Sequence, residues 1–167
     1  MSKKNIAVLG AGKMGLGIAQ LFATKGHQVK VIYVYDDKIR CDAAAVVRSN
    51  LSVLVENDVM TQQEADDAAA RISFVDTIEE VADFADIVFE GIIEKLEIKQ
   101  DYFAKMDAIF PVSTILATNT SAISITEIAE KSVHKERIIG THYWNPAYLV
   151  PLVEVIKTKY VSDETVQ

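Results

Sequence analysis

Three glycines spaced G-x-G-x-x-G, Gly10, Gly12 and Gly15, fall between the apolar run Asn5 to Leu9 and the stretch Leu16 to Ala23. Apolar and small residues recur at helical spacing in that second stretch. The motif is informative only between a strand and a helix, and that is its context here. Gly10 permits the tight turn, Gly12 lets the backbone approach a pyrophosphate, and Gly15 lets the helix pack against the sheet. A second strand is expected from Val29 to Tyr35, after Gly26. Together these features predict dinucleotide binding, with Met14 in the same contact set. The phosphates would rest on the free N–H groups and positive dipole end of the first helix.

A ribose-binding acid should follow the glycines by roughly 20 residues, at the end of the second strand. Asp36 and Asp37 are the acids in that region. Asp36 is the expected ribose ligand and favours NAD over NADP, because a 2′-phosphate would be repelled there. Lys38 and Arg40 follow closely and temper that preference. A turn with an N-cap for the next helix is the other reading of the pair, and each residue could serve one role.

The remainder alternates strand and helix. Lys38 to Glu56 has helical periodicity, and Thr61 to Glu64 is a capping box opening an Ala-rich helix. Ile72 to Val75 reads as a strand, Thr77 to Glu80 as a second capping box, and Asp86 to Phe89 as a buried parallel strand. An amphipathic helix is expected from Ile98 to Phe110, closed by Pro111. A strand follows over Thr114 to Ala117, and a third capping box over Ser124 to Glu127. Repeated βα units imply an α/β fold with a doubly wound, mostly parallel, Rossmann-like sheet. The 167 residues, half of them hydrophobic, suit one such domain spanning 1–167.

Near the end, Ile138-Ile139 leads into His142, and an apolar run from Leu152 to Ile156 surrounds Glu154. Both read as strands, with Pro146 and Pro151 breaking the segment between them. If the second folds back as an antiparallel C-terminal strand, Glu154 comes alongside His142. A carboxylate there raises the basicity of the imidazole and fixes its tautomer, as a general base near neutral pH requires. An ordinary ion pair at a strand end is the alternative. Ligands of such sheets bind beyond the carboxyl ends of the strands. That rule gathers Glu90, Glu94, Asn119, Thr120, Ser121 and His142 on one edge, although Asn119 to Ser121 alone could be a turn and Glu94 a first-turn helix acid.

Bulk properties narrow the partners. The net charge is −7 and no Lys or Arg cluster stands out, which argues against nucleic acid. No apolar run approaches membrane-spanning length, and the five-residue run after Lys3-Lys4 is too short for a signal peptide. Cys41 is the sole cysteine, so no internal disulfide forms and a reducing, cytoplasmic setting is expected. No metal-ligating set is expected.

Four pieces match one family: Gly10 to Ala19, Glu94 with Lys99, Asn119 to Ser121, and His142 to Glu154. Through them the chain resembles the N-terminal NAD-binding domain of the 3-hydroxyacyl-CoA dehydrogenases, from the glycine loop to the last residue. The Tyr-Trp-Asn-Pro-Ala-Tyr wording also resembles the branch with carnitine dehydrogenase and lambda-crystallin. The resemblance implies that His142 removes the hydroxyl proton as hydride leaves C3 of a 3-hydroxyacyl-CoA for NAD. Glu154 would orient His142, Ser121 would bond the reacting oxygen, Asn145 would place the nicotinamide, and Glu94 and Lys99 would line the cofactor site with Asn119. Fatty-acid metabolism is the implied setting. A non-CoA 3-hydroxy substrate (carnitine or a sugar acid) and a non-catalytic NAD-binding module are the alternatives.

Two departures from the family pattern stand out. The ribose acid normally closes a strand of the form Gly-His-x-Val-x-x-x-Asp, and counting from Gly26-His27 reaches Tyr33. The strand therefore looks three residues longer, with Asp36 arriving late. The family also continues into a helical domain that supplies acyl-pocket residues and a dimer interface, whereas this sequence stops at Gln167 just after Ser162-Asp163-Glu164, a helix start. The expectation is a truncated domain that binds NAD, turns over weakly alone, and exposes apolar surface.

Overall fold

The computed structural model describes residues 3–34 and 37–167. Strand β1 (Asn5–Leu9) leads through the glycine turn into helix α1 (Lys13–Thr24), then β2 (Gln28–Ile32), α2 (Asp37–Glu56), α3 (Gln62–Ala70) and β3 (Ile72–Val75). The second half runs β4 (Ile87–Glu90), α4 (Leu96–Ile109), β5 (Ile115–Thr118), α5 (Ile125–Ile128), β6 (Ile138–Tyr143), β7 (Val153–Ile156) and α6 (Asp163–Val166). Among the described residues these strands form one seven-stranded sheet in the order β3-β2-β1-β4-β5-β6-β7. Pairing is parallel from β3 through β6 and antiparallel between β6 and β7.

The order reverses between β1 and β4, so the chain leaves β1 in one direction and later returns on its other side. Such a reversal opens a crevice beyond the carboxyl ends of the two strands. The central strands are buried on both faces, because helices cover the sheet from either side. Ile6 and Val8 pack under α1 with Val29 and Val31, while Ala7, Leu9, Val88 and Leu116 face Phe103 and Met106 of α4. Each fully buried Ile, Leu, Val, Phe or Met contributes roughly 1.5–3 kcal/mol of hydrophobic stabilisation. At the amino edge, the buried Arg137 guanidinium grips the Asp107 carboxylate at 2.6 Å and the Thr114 carbonyl at 3.2 Å, locking α4 to the start of β6.

The doubly wound sheet and its antiparallel last strand stand as expected from the sequence. Two local expectations need correction. Strand β2 stops at Ile32 rather than continuing to Tyr35, because Ile32 pairs with Leu9 and Val75, the last residues of both neighbouring strands. Tyr33 adds one bond to the Val75 carbonyl at 3.0 Å, and its ring stacks on Phe74. The proposed Asp36 contact lies outside the described residues. Thr61 and Glu64 do form a reciprocal capping box at α3. The Thr77–Glu80 signature, however, opens only a single 3-10 turn at Glu79–Val81, since β4 begins six residues later. Ser124 caps α5 through the Glu127 N–H, and that helix is one turn long. Among the described residues, no helix is long and apolar enough to cross a membrane.

Candidate active site

The glycine turn is built by sterics. Gly10 has φ +107°, a conformation L side chains rarely adopt, and a Cβ there would sit 2.9 Å from the Gly91 carbonyl oxygen. A Cβ on Gly15 would lie 2.0 Å from the Gly10 oxygen, so only glycine lets α1 approach the turn this closely. Gly12 differs, for a Cβ there meets nothing within 4 Å. It is also the N-cap of α1, with no side-chain cap and no acid in the first turn. The leading N–H groups and positive dipole end of a 12-residue helix therefore face open space. This is the cradle a pyrophosphate requires, and the residues present fit a dinucleotide.

A groove of about 490 Å³ continues from that cradle along the carboxyl edge of the sheet, lined by Gly12, Met14, Gly91, Glu94, Asn119 and Ser121. A second hollow of about 430 Å³ adjoins the turn on its other flank, where Asn145 meets Ala11 and Lys13, with Leu16, Val46 and Tyr148 as walls. Thus Gly12, Met14, Glu94, Asn119 and Ser121, all named from the sequence, border one groove, and Asn145, also named from it, borders the hollow on the other flank of the glycine turn.

At the far end of the groove lies the histidine. Residues His142 and Glu154 are directly opposite in the β6–β7 register, which places both side chains on one face. The imidazole Nδ1 is 2.7 Å from Glu154 Oε2, and Nε2 is 3.0 Å from Ser121 Oγ. The hydrogen bond from His142 first, and a longer one from the Trp144 indole at 3.4 Å, hold the Glu154 carboxyl below the usual range. An ionised carboxylate only accepts hydrogen bonds, so Nδ1 carries the proton of a neutral ring. Nε2 then presents its lone pair toward the Ser121 hydroxyl. Burial pushes the Tyr143 phenol up to about 12, which removes that neighbour as a proton source near neutrality.

The Ser121 turn is held from behind. Glu94 Oε1 accepts the Ser121 N–H at 2.9 Å, the Ala122 N–H at 3.2 Å and the Thr120 hydroxyl. Burial alone would raise the Glu94 carboxyl, but these donors and the nearby Lys99 charge hold it low. The Asn119 side-chain oxygen accepts the Tyr143 N–H at 2.8 Å, tying the ends of β5 and β6 together. Lys99, expected to line the cofactor site with Glu94, is 1% exposed, with its ammonium 2.6 Å from Glu90 and 3.3 Å from Glu94. Sequence reasoning assigned no role to Glu90 itself, to Thr118 or to the Trp144 indole. Glu90 was placed on the correct edge, yet no local spacing rule links it to a lysine nine residues later across a turn.

The family model for the NAD binding domain of 3-hydroxyacyl-CoA dehydrogenase matches residues 5–167. A probable 3-hydroxybutyryl-CoA dehydrogenase of Bacillus subtilis is 41% identical over 99% of this chain and 57% of its own length. A 3-hydroxyadipyl-CoA dehydrogenase of Escherichia coli is 36% identical over 98% of this chain and 34% of its own. The crystal structure of a 3-hydroxybutyryl-CoA dehydrogenase from Escherichia coli superposes with a TM-score of 0.93, at 35% identity, over 99% of this chain and 35% of that one. This chain thus spans about half or less of the length of these relatives. The chain belongs to the 3-hydroxyacyl-CoA dehydrogenase family, as its NAD-binding domain.

Proposed function

We propose that this chain is the cofactor domain of an enzyme that oxidises the 3-hydroxyl of a short-chain 3-hydroxyacyl-CoA with NAD, and reduces the 3-ketoacyl-CoA in reverse. The observation that carries the reading is the Ser121–His142–Glu154 series at one end of a groove that begins at the glycine cradle. When bound, NAD supplies the hydride acceptor. The protein places the reactants and moves the proton. His142 Nε2 takes the substrate hydroxyl proton, and Glu154 stabilises the imidazolium that results. Ser121 donates to the same oxygen as it becomes a carbonyl. Gly10, Gly12, Met14 and Gly15 hold the pyrophosphate, Asp36 the adenosine ribose, and Glu94, Asn119 and Asn145 the nicotinamide half. The apolar hollow walled by Leu16, Val46 and Tyr148 leaves room for an acyl group.

The acyl-CoA, a homodimer formed by the longer protein, and a cytoplasmic location inferred from the lone Cys41 complete the proposal. It is tested by assaying this chain, and the chain extended to the length of its relatives, with acetoacetyl-CoA and NADH. Activity confined to the extended form supports it, while cofactor binding without turnover in either form leaves a non-catalytic module. One observation favours a second substrate: the Trp144 ring is 49% exposed beside the His142–Glu154 pair, and a quaternary ammonium seeks such a face. Turnover of carnitine with none of CoA esters would select that reading.

A further inference from the structure

One residue of the glycine turn runs against the usual placement of charge. Lys13 is the first residue of α1, and its side chain is exposed. A helix starts at its positive pole, where acids are favoured and cations are not. The first turn of α1 holds no acid to offset the ammonium. Lys13 also makes no ion pair among the described residues. A cation thus stands unpaired beside N–H groups that already carry partial positive charge.

Its position gives that charge a use. Lys13 borders both the groove along the carboxyl edge and the hollow on the other flank of the turn. Of the residues lining these two spaces, Lys13 is the one cation and Glu94 the one anion. Glu94 is already engaged, by the Ser121 and Ala122 N–H groups and by Lys99. Helical Cα–Cβ bonds tilt toward the N-terminus, so the Lys13 stem starts back over the turn. Gly12 leaves space there, since a Cβ on it meets nothing within 4 Å. A pyrophosphate carries a negative charge on each phosphate, whereas one helix pole supplies roughly half an elementary charge. The cradle can therefore use a full cation.

We propose that Lys13 is a cofactor-binding residue: its ammonium pairs with the pyrophosphate of the dinucleotide, adding a formal charge to a cradle otherwise made of backbone N–H groups. The inference rests on the NAD reading of the cradle and is independent of which alcohol is oxidised.

The test compares wild type with Lys13→Met and Lys13→Arg in the 167-residue chain. Each is titrated calorimetrically with NAD and with ADP-ribose, which keeps the pyrophosphate and lacks the nicotinamide. Lys13→Met should weaken both ligands alike, by roughly five- to tenfold at low salt, while Lys13→Arg stays within about twofold of wild type. The difference between wild type and Lys13→Met should narrow at high salt. Without ligand, Lys13→Met should melt about 1–2 °C higher, because a cation has left the positive pole of the helix. One substitution would then stabilise the free chain and weaken the complex, which a residue that merely supports the fold cannot do. Unchanged NAD affinity in Lys13→Met would overturn the inference. So would a loss for NAD without one for ADP-ribose, which would move Lys13 to the nicotinamide end. A lower Tm without ligand would overturn it too, making Lys13 part of the fold. A wild-type chain that bound neither ligand would overturn the NAD reading of the cradle, and the inference with it.

Discussion

At the scale of single residues, the chemistry depends on one nitrogen. Substituting His142→Gln should lower turnover of the active protein by roughly 10²–10⁴-fold while leaving NAD affinity within a few-fold, measured by steady-state kinetics and calorimetry. Glu154 acts on the same atom at one remove. Its carboxyl is held low, first by the hydrogen bond from His142, so it stays charged from neutral pH down to below the usual carboxylate range. Its support of His142 is therefore full above that range and is lost as the pH falls through the lowered value. Glu154→Gln should reduce turnover at neutral pH by more than it does at a pH where wild-type Glu154 is protonated. A pH profile of the two proteins reads this directly. The pairing of His142 with Glu154 was legible in the sequence because two prolines and two apolar runs foretold a hairpin, and antiparallel register does the rest. The burial of Lys99 was not legible, because a lysine in a helix is normally a surface residue and only the fold reveals the acids around it.

At the scale of elements, the glycine turn and α1 form one unit. Gly15→Ala would set a methyl against the Gly10 carbonyl at a separation no real contact tolerates, so the turn must open. That variant should lose NAD affinity by at least tenfold and also Tm. Gly12→Ala should keep the fold, since its methyl meets open space, yet weaken NAD binding. Comparing the two by calorimetry and thermal melting separates packing from ligand approach. Elements with complete local signals, such as the capping box at α3 and the apolar strand cores, were readable. The end of β2 was not, because a strand ends where its partners end, and that information lies in Leu9 and Val75 rather than in the apolar Tyr33-Val34. The Thr77–Glu80 signature similarly promised a helix that the nearness of β4 cut to one turn.

At the scale of the whole molecule, the sheet gathers Gly12, Glu94, Asn119, Ser121 and His142 at its carboxyl edge and leaves the amino edge to structural locks such as Asp107–Arg137. Binding of NAD should therefore stabilise the whole domain. At a free concentration 100-fold above Kd the gain should be about 2.7 kcal/mol, visible as a rise in Tm that NADP at equal concentration does not match. An apolar surface remains at the last strand, where Val153, Val155 and Ile156 are exposed. Fold class was the most legible level, because alternating strand and helix signals with short connections admit few topologies.

The three histidines offer the most direct test, since they sit on different edges. His27 precedes β2 and His134 precedes β6, both at the amino edge, whereas His142 stands near the carboxyl end of β6. Following the imidazole ring protons by NMR during titration with NAD should shift the His142 resonances, and nicotinamide protons should show contacts to that ring alone. Shifts confined to His27 or His134, or saturable NAD binding that leaves His142 unmoved, would contradict the placement of the proton acceptor beside the cofactor.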